Sequence, residues 1–184
     1  RRRCGLISRV FLSPRVAPGV KADKLYLVGF MGAGKSTTAA ALGRRIGWRA
    51  EDIDTRIETR EHRSVAAIFA QEGEAYFRTV ERQVLHELLP ERSVVVAAGG
   101  GTFVEPDNRA VMLADGAVAW LDIPLSCVID RVPRDGRRPL AADLTQLEQL
   151  NLRRRAAYAD AHVRIDASRP AAEVVERLLE WIGY

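Results

Sequence analysis

The chain has 184 residues, of which 47% are hydrophobic and 28% are charged. This length suits one domain with a sizeable core better than two, and no apolar run reaches the roughly 18 residues that a membrane span needs. The only two cysteines, Cys4 and Cys127, offer neither a disulfide framework nor a zinc-ligand spacing. The composition therefore argues against a membrane protein, a disulfide-stapled domain and a zinc protein, and it favours a reducing, cytoplasmic compartment.

The formal net charge of +4 originates at the N-terminal end of the chain. Residues 1–22 carry six basic residues and no acid, which leaves 22 basic against 24 acidic residues in the rest. The high isoelectric point therefore belongs to this tail and does not indicate a nucleic-acid-binding face on the body. The tail is typical of either a transit segment, which would imply a plastid location, or a disordered extension. We predict a flexible basic leader over residues 1–22 and one folded domain over 23–184.

From residue 24 onward, short β-type runs alternate with helical patterns, which predicts a three-layer α/β domain with a parallel sheet covered on both faces. Strands are predicted at 25–28, 48–50, 94–97, 117–121 and 162–165. Helices are predicted at 38–46, 55–61, 74–88, 106–113, 125–132, 144–159 and 171–182. Residues 133–143 contain two prolines, a glycine and three arginines, and this composition predicts a mobile surface segment.

A phosphate-binding loop follows the first predicted strand. Residues 29–37 read GFMGAGKST and match the pattern G-x-x-x-x-G-K-[ST]. In such a loop, glycines allow backbone N–H groups to face the β-phosphate, the lysine reaches the β- and γ-oxygens, and the hydroxyl is a ligand of Mg²⁺. The following helix directs its positive end at the same phosphates. The motif predicts that a nucleoside triphosphate is bound by Gly32, Ala33, Gly34, Lys35, Ser36 and Thr37.

Two aspartates, Asp52 and Asp54, follow the second predicted strand. Ligands of doubly wound sheets bind at the carboxyl edge of the strands, where these side chains are expected. Asp52 can then hold Mg²⁺ through water together with Ser36, while Asp54 can receive a proton or bind a substrate hydroxyl. The alternative is that the two acids serve the N-terminus of the helix at 55–61, with Asp54 as its cap.

Three further features are ambiguous by themselves. Asp122 ends a run that resembles a magnesium-binding strand, but the Ile-Pro pair after it favours a turn or capping role, so we prefer Asp52 as the metal residue. Arg78, beside Glu81, is expected to form a solvated ion pair. The three consecutive glycines at 99–101 would let a ligand approach the backbone closely, and a plain turn would not require the conformational entropy that they cost.

Together these motifs resemble those of the shikimate kinases. The resemblance covers residues 24–182 and rests on GFMGAGKST at 29–37, D-x-D at 52–54, IE at 57–58, IFAQEGEAYFR at 68–78, GGG at 99–101, RPL at 138–140 and R-x-x-x-Y at 154–158. It implies the five-stranded parallel sheet of the nucleoside monophosphate kinase group, with a lid at about 133–143. It also implies ATP-dependent phosphorylation of the 3-hydroxyl of shikimate, a step of aromatic amino acid biosynthesis.

The resemblance also gives the ambiguous residues roles. Lys35 and Ser36 would handle the phosphates and Mg²⁺, Asp52 would support the metal, and Asp54 would bind substrate hydroxyls near the attacking oxygen. Arg138 would close over ATP with the lid, which makes Lys35, Asp54 and Arg138 the implied catalytic residues.

The remaining implied contacts concern the ring and the adenine. The substrate carboxylate would be held by Arg78 and Arg154, with the ring against the backbone of Gly99, Gly100 and Gly101. The substrate is a small acid with several hydroxyl groups. Two arginines at its carboxylate end and a hydrogen-bond acceptor, Asp54, at its hydroxyl end would aim one hydroxyl at the γ-phosphate. Adenine would lie between Arg131 and Pro170.

Three positions depart from the family pattern. Glu51 places an extra acid beside Asp52, which could raise a neighbouring pKa or alter metal affinity. His62 stands where the family commonly has glycine, so it would carry a cost if that turn requires a positive φ. Ala156 replaces a frequent proline. No proposed ligand is removed by these departures.

Three other functions are compatible with parts of the sequence. Another small-metabolite kinase, such as a gluconate-type enzyme, would share the phosphate machinery and differ in acceptor. A catalytically silent relative would bind ligands without turnover, although Lys35, Asp54 and Arg138 are all present. Nucleic-acid binding through the basic tail would weaken steeply with salt. The family resemblance favours ATP and shikimate as partners of a monomeric cytoplasmic enzyme, without nucleic acid or membrane.

Overall fold

A computed structural model describes residues 22–131 and 144–184 of the chain. In these residues five parallel strands form one sheet in the order β2-β3-β1-β4-β5. The strands are β1 (Lys24–Val28), β2 (Arg49–Asp52), β3 (Val94–Ala97), β4 (Ala117–Asp122) and β5 (Val163–Asp166). The predicted α/β class and all five predicted strands are confirmed, each to within two residues at either end.

Helices flank this sheet, as predicted. They are α1 (Lys35–Ile46), α2 (Ile53–Glu61), α3 (Val65–Leu88), α4 (Pro106–Asp115), α5 (Leu125–Arg131), α6 (Leu144–Tyr158) and α7 (Ala171–Ile182). Within the two described ranges, no helix has the length and apolar character required to cross a membrane. The predicted leader up to residue 21 and the predicted lid at 133–143, with Arg138, lie outside the described residues.

The centre of the sheet explains where a ligand would bind. All five residues of β1 are buried, as expected for a strand with helices on both faces. Strands β2 and β3 lie on one side of β1, and β4 and β5 lie on the other, so the winding direction reverses beside β1. Ligands of open α/β sheets bind at such a reversal, outside the carboxyl ends of the strands. The phosphate-binding loop begins at this end of β1.

Strand β2 lies at the edge of the sheet and has a polar sequence, RAED. Its side chains are exposed or half-buried, and it pairs along one side only, with Arg49 opposite Val94 and Asp52 opposite Ala97. An edge strand needs no continuous apolar run, which is why the sequence pattern predicted it only faintly and ended it two residues early. The pairing places Asp52 at the carboxyl edge of the sheet.

Helix α3 begins nine residues before its predicted start. Two helical segments meet at Gly73, whose φ of 80° and ψ of 177° are not helical. The prediction treated this glycine as the point where the helix began, and it was wrong about residues 65–72. Their signal was present, because Ser64 precedes an apolar-periodic run and its side chain accepts a hydrogen bond from the N–H of Ala67 at 3.2 Å.

His62 terminates α2 in the left-handed region, with φ 54° and ψ 28°. The positive φ anticipated at this departure from the family pattern is therefore confirmed. Since a β-carbon disfavours this region, the His62→Gly variant is expected to raise the free energy of unfolding by about 1 kcal/mol. Urea unfolding would measure the change.

The matched control for this prediction is Arg82→Gly, at an exposed position inside α3 with right-handed helical geometry. Glycine there should lower the free energy of unfolding by about 1 kcal/mol. If His62→Gly lowers stability as well, the strain attributed to His62 does not exist.

Candidate active site

The phosphate-binding loop runs from the end of β1 into α1. Gly29, Gly32 and Gly34 all have positive φ, at 139°, 76° and 82°, and Gly34 is the residue that caps α1. An added β-carbon at Gly29 would also collide with the carbonyl oxygen of Leu121 at the end of β4. The loop therefore requires its glycines, and it directs the first N–H groups of α1 towards the carboxyl edge of the sheet.

Lys35 is the first residue of α1, and its ammonium group is held inside the loop. The Nζ atom donates hydrogen bonds to the carbonyl oxygens of Gly29 at 2.9 Å and Phe30 at 3.0 Å. The positive charge consequently lies over the concave side of the loop, where a phosphate would be cradled. Of the other predicted nucleotide residues, Ala33 is buried, Gly32 is half-buried, and Ser36 and Thr37 are exposed at the first turn of α1.

Ser36 and Asp52 come together across 16 residues of sequence. The Ser36 hydroxyl donates a hydrogen bond of 2.5 Å to Oδ2 of Asp52. The other carboxylate oxygen of Asp52 accepts a bond of 3.2 Å from the N–H of Thr55 and so caps α2. The sequence-based alternative, in which the two acids serve the N-terminus of this helix, is thus confirmed. It was wrong only in naming Asp54 as the cap, because the helix starts at Ile53 and Asp54 lies in its first turn.

Asp122 is engaged elsewhere. It ends β4, and its carboxylate accepts hydrogen bonds from Arg155 and Arg164. The turn or capping role predicted for it was wrong, since strong charge-assisted bonds to two guanidinium groups occupy the side chain.

The three-glycine loop is the meeting point of the remaining predicted residues. A β-carbon at Gly99 would lie 2.8 Å from Oδ1 of Asp54, and one at Gly100 would lie 2.9 Å from Nη1 of Arg154. A β-carbon at Gly101 would lie 2.6 Å from Cζ of Arg78. The loop therefore consists of glycine because one carboxylate and two guanidinium groups approach its backbone. These residues belong to α2, α3 and α6, so their convergence is a product of the fold.

Arg78 is anchored by a buried carboxylate. Its guanidinium pairs with Glu81 at 2.7 Å and with Glu74 at 2.9 Å, and the Glu81 side chain is only 1% exposed. The Thr102 hydroxyl donates to Glu81 at 2.6 Å. Burial acts to lower the pKa of Arg78, but the two glutamates outweigh it and raise that pKa. The solvated ion pair expected from the sequence was wrong, because Glu81 is buried.

Arg154 and Tyr158 lie one helical turn apart on α6 and face the same loop. The Tyr158 hydroxyl donates to the carbonyl oxygen of Gly100 at 2.5 Å, and Cζ of Arg154 lies 5.7 Å from the centre of the Phe30 ring. Burial lowers the pKa of Arg154, and the nearby positive charge of Arg78 adds to this effect. Burial also raises the pKa of Tyr158 to about 12, so this phenol remains a hydrogen-bond donor at neutral pH.

The charges in this cluster leave a place for an anion. Arg78 and Arg154 contribute two positive charges, whereas the buried carboxylate of Glu81 compensates one of them, and the second partner of Arg78, Glu74, is 63% exposed and therefore screened by water. A carboxylate between the two guanidinium groups would supply the second negative charge and would be recognised with directional hydrogen bonds.

Glu51 is paired with an arginine of α2. Its carboxylate accepts a hydrogen bond from Arg56 at 2.8 Å, and this contact holds its pKa below the usual range. Arg56 thus compensates the additional charge, and an effect of Glu51 on a neighbouring pKa or on metal affinity stays a prediction.

The two residues predicted to flank adenine stand at the ends of helices. Arg131 is the last residue of α5, and Pro170 is the residue that caps α7, with φ −52° and ψ 143°. Arg138, also predicted to contact the nucleotide, lies outside the described part of the chain.

Several residues of this site were missed by sequence analysis. Glu81 was noticed only as a neighbour of Arg78, and its burial had no local signal. The Tyr158 position was visible in the R-x-x-x-Y spacing, but its contact with Gly100 spans 58 residues and could not be read from the sequence. The remaining missed residue, Thr102, follows directly after the three glycines.

Fold and site together define a P-loop kinase, in which a phosphate-binding loop lies beside a cluster of charged side chains at the switch point of a parallel sheet. The family model described as shikimate kinase matches residues 31–183. A shikimate kinase from Synechococcus elongatus is 42% identical over 163 residues, covering 86% of this chain and 85% of the relative. One from a Sulfurihydrogenibium species is 38% identical over 157 residues, covering 84% and 95%.

A solved structure gives the same result. The shikimate kinase from Acinetobacter baumannii, in complex with shikimate, is 34% identical to this chain with a TM-score of 0.84, and the match covers 87% of this chain and 92% of that one. The chain belongs to the shikimate kinase family.

Proposed function

We propose that this protein transfers the γ-phosphoryl group of ATP to the 3-hydroxyl of shikimate. Membership of the shikimate kinase family supports the reaction, and the Acinetobacter relative binds shikimate. The observation that carries the proposal for this chain is the approach of Asp54, Arg78 and Arg154 to three successive glycines. In that arrangement Arg78 and Arg154 can hold a substrate carboxylate, and we call this pair the carboxylate clamp. Asp54 can accept a hydrogen bond from a substrate hydroxyl, and all three residues lie next to the phosphate-binding loop.

Arg78 and Arg154 bind the carboxylate of shikimate, and the ring lies against the backbone of Gly99, Gly100 and Gly101. A bound carboxylate would relieve the repulsion between the two guanidinium groups, which gives the clamp a preference for anionic acceptors. Glu81 fixes one of these groups before the substrate arrives, so less side-chain entropy is lost on binding.

Asp54 binds the hydroxyl groups at the other end of the ring and accepts a proton from the attacking oxygen. Its Oδ1 atom lies close enough to the Gly99 backbone that a β-carbon there would be 2.8 Å away. A carboxylate in this position orients one hydroxyl towards the γ-phosphate, which is the main contribution that an enzyme makes to phosphoryl transfer.

On the nucleotide side, Gly32, Ala33, Gly34, Lys35, Ser36 and Thr37 bind the phosphates. The adjacent oxygens of Ser36 and Asp52 fit Mg²⁺, a hard cation that favours oxygen ligands and commonly needs only one or two from the protein. When bound with ATP, Mg²⁺ neutralises charge on the phosphates. Lys35 stabilises negative charge on the transferred group from inside the loop.

The remaining parts of the mechanism follow from the family pattern alone. Arg131 and Pro170 flank adenine, and Arg138 closes over ATP with the segment at about 133–143 and stabilises transition-state charge. The monomeric state and the cytoplasmic location of the enzyme stay predictions from the sequence.

Removing one arginine tests the carboxylate clamp. The Arg154→Ala variant is expected to raise the KM for shikimate by about 100-fold. A charge-assisted contact with the substrate carboxylate is lost, and the remaining positive charge, on Arg78, is already balanced by Glu81. The KM for ATP should change by about twofold at most, since no nucleotide-binding residue is altered. Steady-state kinetics with each substrate varied would measure both constants.

Arg154→Lys is the matched variant for this clamp. It keeps the charge but loses the planar, forked donor, so its KM for shikimate should lie between those of the wild type and Arg154→Ala. An unchanged KM for shikimate in Arg154→Ala would contradict the clamp.

The Gly101→Ala variant tests the clamp from the backbone side. The added methyl group would occupy the space of the Arg78 guanidinium, so Arg78 must move and the KM for shikimate is expected to rise about tenfold or more. In an Arg78→Ala background the same glycine substitution should have little further effect, because the space is already free. Additive effects of the two substitutions would show that Gly101 acts through something other than Arg78.

A further inference from the structure

Helix α6 carries Arg154, and half of its buried side chains are polar. Among the described side chains of this helix, the buried ones are those of Leu147, Asn151, Arg154 and Tyr158, and Leu150 is half-buried against the core. Hydrophobic packing is what usually fixes a helix on its sheet. The position of α6, and with it the direction of Arg154, therefore depends on polar contacts as well as on apolar packing.

One polar contact of this kind lies next to Arg154 in the chain. The guanidinium of Arg155 donates to both carboxylate oxygens of Asp122, at 2.6 and 3.2 Å. Arg164 on β5 donates to the same carboxylate at 2.8 Å. We call these three residues, together with Trp120, the Asp122 clasp. A forked pair of bonds fixes the orientation of Arg155 as well as its distance from β4.

Trp120 adds a second surface to the clasp. The guanidinium carbons of Arg155 and Arg164 lie 4.9 and 5.0 Å from the centre of its ring, and the ring of Tyr158 lies 5.9 Å away. Trp120 is 6% exposed, whereas the side chains of Arg155 and Arg164 are 33% and 49% exposed, so each cation–π contact joins a buried ring to a partly exposed guanidinium group. The clasp joins α6 to β4 and β5, and its Trp120 ring contacts the same Tyr158 that bonds to Gly100.

We propose that the Asp122 clasp is a positioning device for acceptor binding, which holds α6 where Arg154 reaches the carboxylate of the acceptor. Asp122 and Arg155 touch neither substrate and act through Arg154. The inference rests on the proposed function, because it takes Arg154 as a ligand of the acceptor carboxylate. Adjacent arginines on α6 thus have different tasks, since Arg155 fixes the helix and Arg154 faces the pocket.

The test compares Arg155→Ala with Arg153→Ala in steady-state kinetics with ATP and shikimate. Arg153 is exposed on the same helix and bonds only within it among the contacts described, to the carbonyl oxygen of Gln149. Both variants lose one positive charge and one long side chain from the same turn. Arg155→Ala should raise the KM for shikimate about tenfold while the KM for ATP stays within about twofold. Arg153→Ala should leave both constants unchanged.

Two further variants separate positioning from general damage. Arg155→Lys keeps the charge but cannot form the forked pair, so its KM for shikimate should be intermediate. Asp122→Asn removes the negative charge that Arg155 and Arg164 share. The double variant Asp122→Asn/Arg155→Ala should have a KM for shikimate no higher than that of the more impaired single variant, because both substitutions break the same contact. Thermal unfolding of each variant identifies the loss of folded protein.

The outcomes distinguish the two proposals. Wild-type protein that does not phosphorylate shikimate overturns the proposed function and this inference with it. Active wild type with an unchanged KM for shikimate in Arg155→Ala overturns the clasp alone. So does an equal rise in the KM values for ATP and shikimate, because it would reveal a loss of overall structure rather than of Arg154 placement.

Discussion

Replacing Lys35 by methionine is expected to lower kcat about 1,000-fold or more with every acceptor, because the charge that stabilises the transferred phosphoryl group is lost. The ammonium group is held by the carbonyl oxygens of Gly29 and Phe30 inside the loop, so it is already in place when the nucleotide arrives. Methionine has a similar length and no charge, and the loop backbone should keep its form. A coupled assay of ADP release measures the loss.

Arg44→Met is the matched control for this variant, because it removes a positive charge from the last turn of the same helix, away from the loop. It should retain near-normal turnover. If Lys35→Met remained active at a comparable level, the interpretation of residues 29–37 as a catalytic phosphate-binding loop would be untenable.

Replacing Asp54 by asparagine is expected to lower kcat by about 100- to 10,000-fold, the range typical for removal of a proton acceptor. Asparagine keeps the size of the side chain and can still bond to a hydroxyl, so the KM for shikimate should change much less than kcat. This separation identifies a group that acts mainly in the transition state. Steady-state kinetics supply both constants, and thermal unfolding confirms that the variant is folded.

Glu51→Gln serves as the control for Asp54→Asn. Glu51 lies three residues away and also carries a negative charge, but Arg56 compensates it. Turnover should be close to that of the wild type. Equal losses in both variants would mean that the general charge of this segment matters, and that Asp54 has no individual role.

The sequence was sufficient to predict the parts of the fold that depend on local patterns. The phosphate-binding loop and the three glycines each follow a continuous buried strand, so periodicity alone placed them at the carboxyl edge of a sheet. The first half of α3 was missed because Gly73 was interpreted as a boundary, whereas the structure uses it as a kink between two helical segments.

The site was less predictable because its contacts join distant segments. Nothing near Asp122 in the sequence indicates Arg155 or Arg164, which lie 33 and 42 residues away. Similarly, the spacing of Arg78 and Glu81 suggests an ordinary ion pair on a helix surface, and only the packing of α3 against the three-glycine loop buries the glutamate. Patterns in the sequence identify residue types, but burial of their charges is decided by the tertiary fold.

The most direct test is an ADP-release assay with Mg-ATP in which shikimate is compared with quinate, gluconate and nucleoside monophosphates on one preparation. We expect saturable turnover with shikimate and at most weak activity with the other acceptors. Preferred turnover of gluconate or a nucleotide would contradict the assignment of the acceptor pocket, and binding of ATP without turnover of any acceptor would contradict the proposed catalysis.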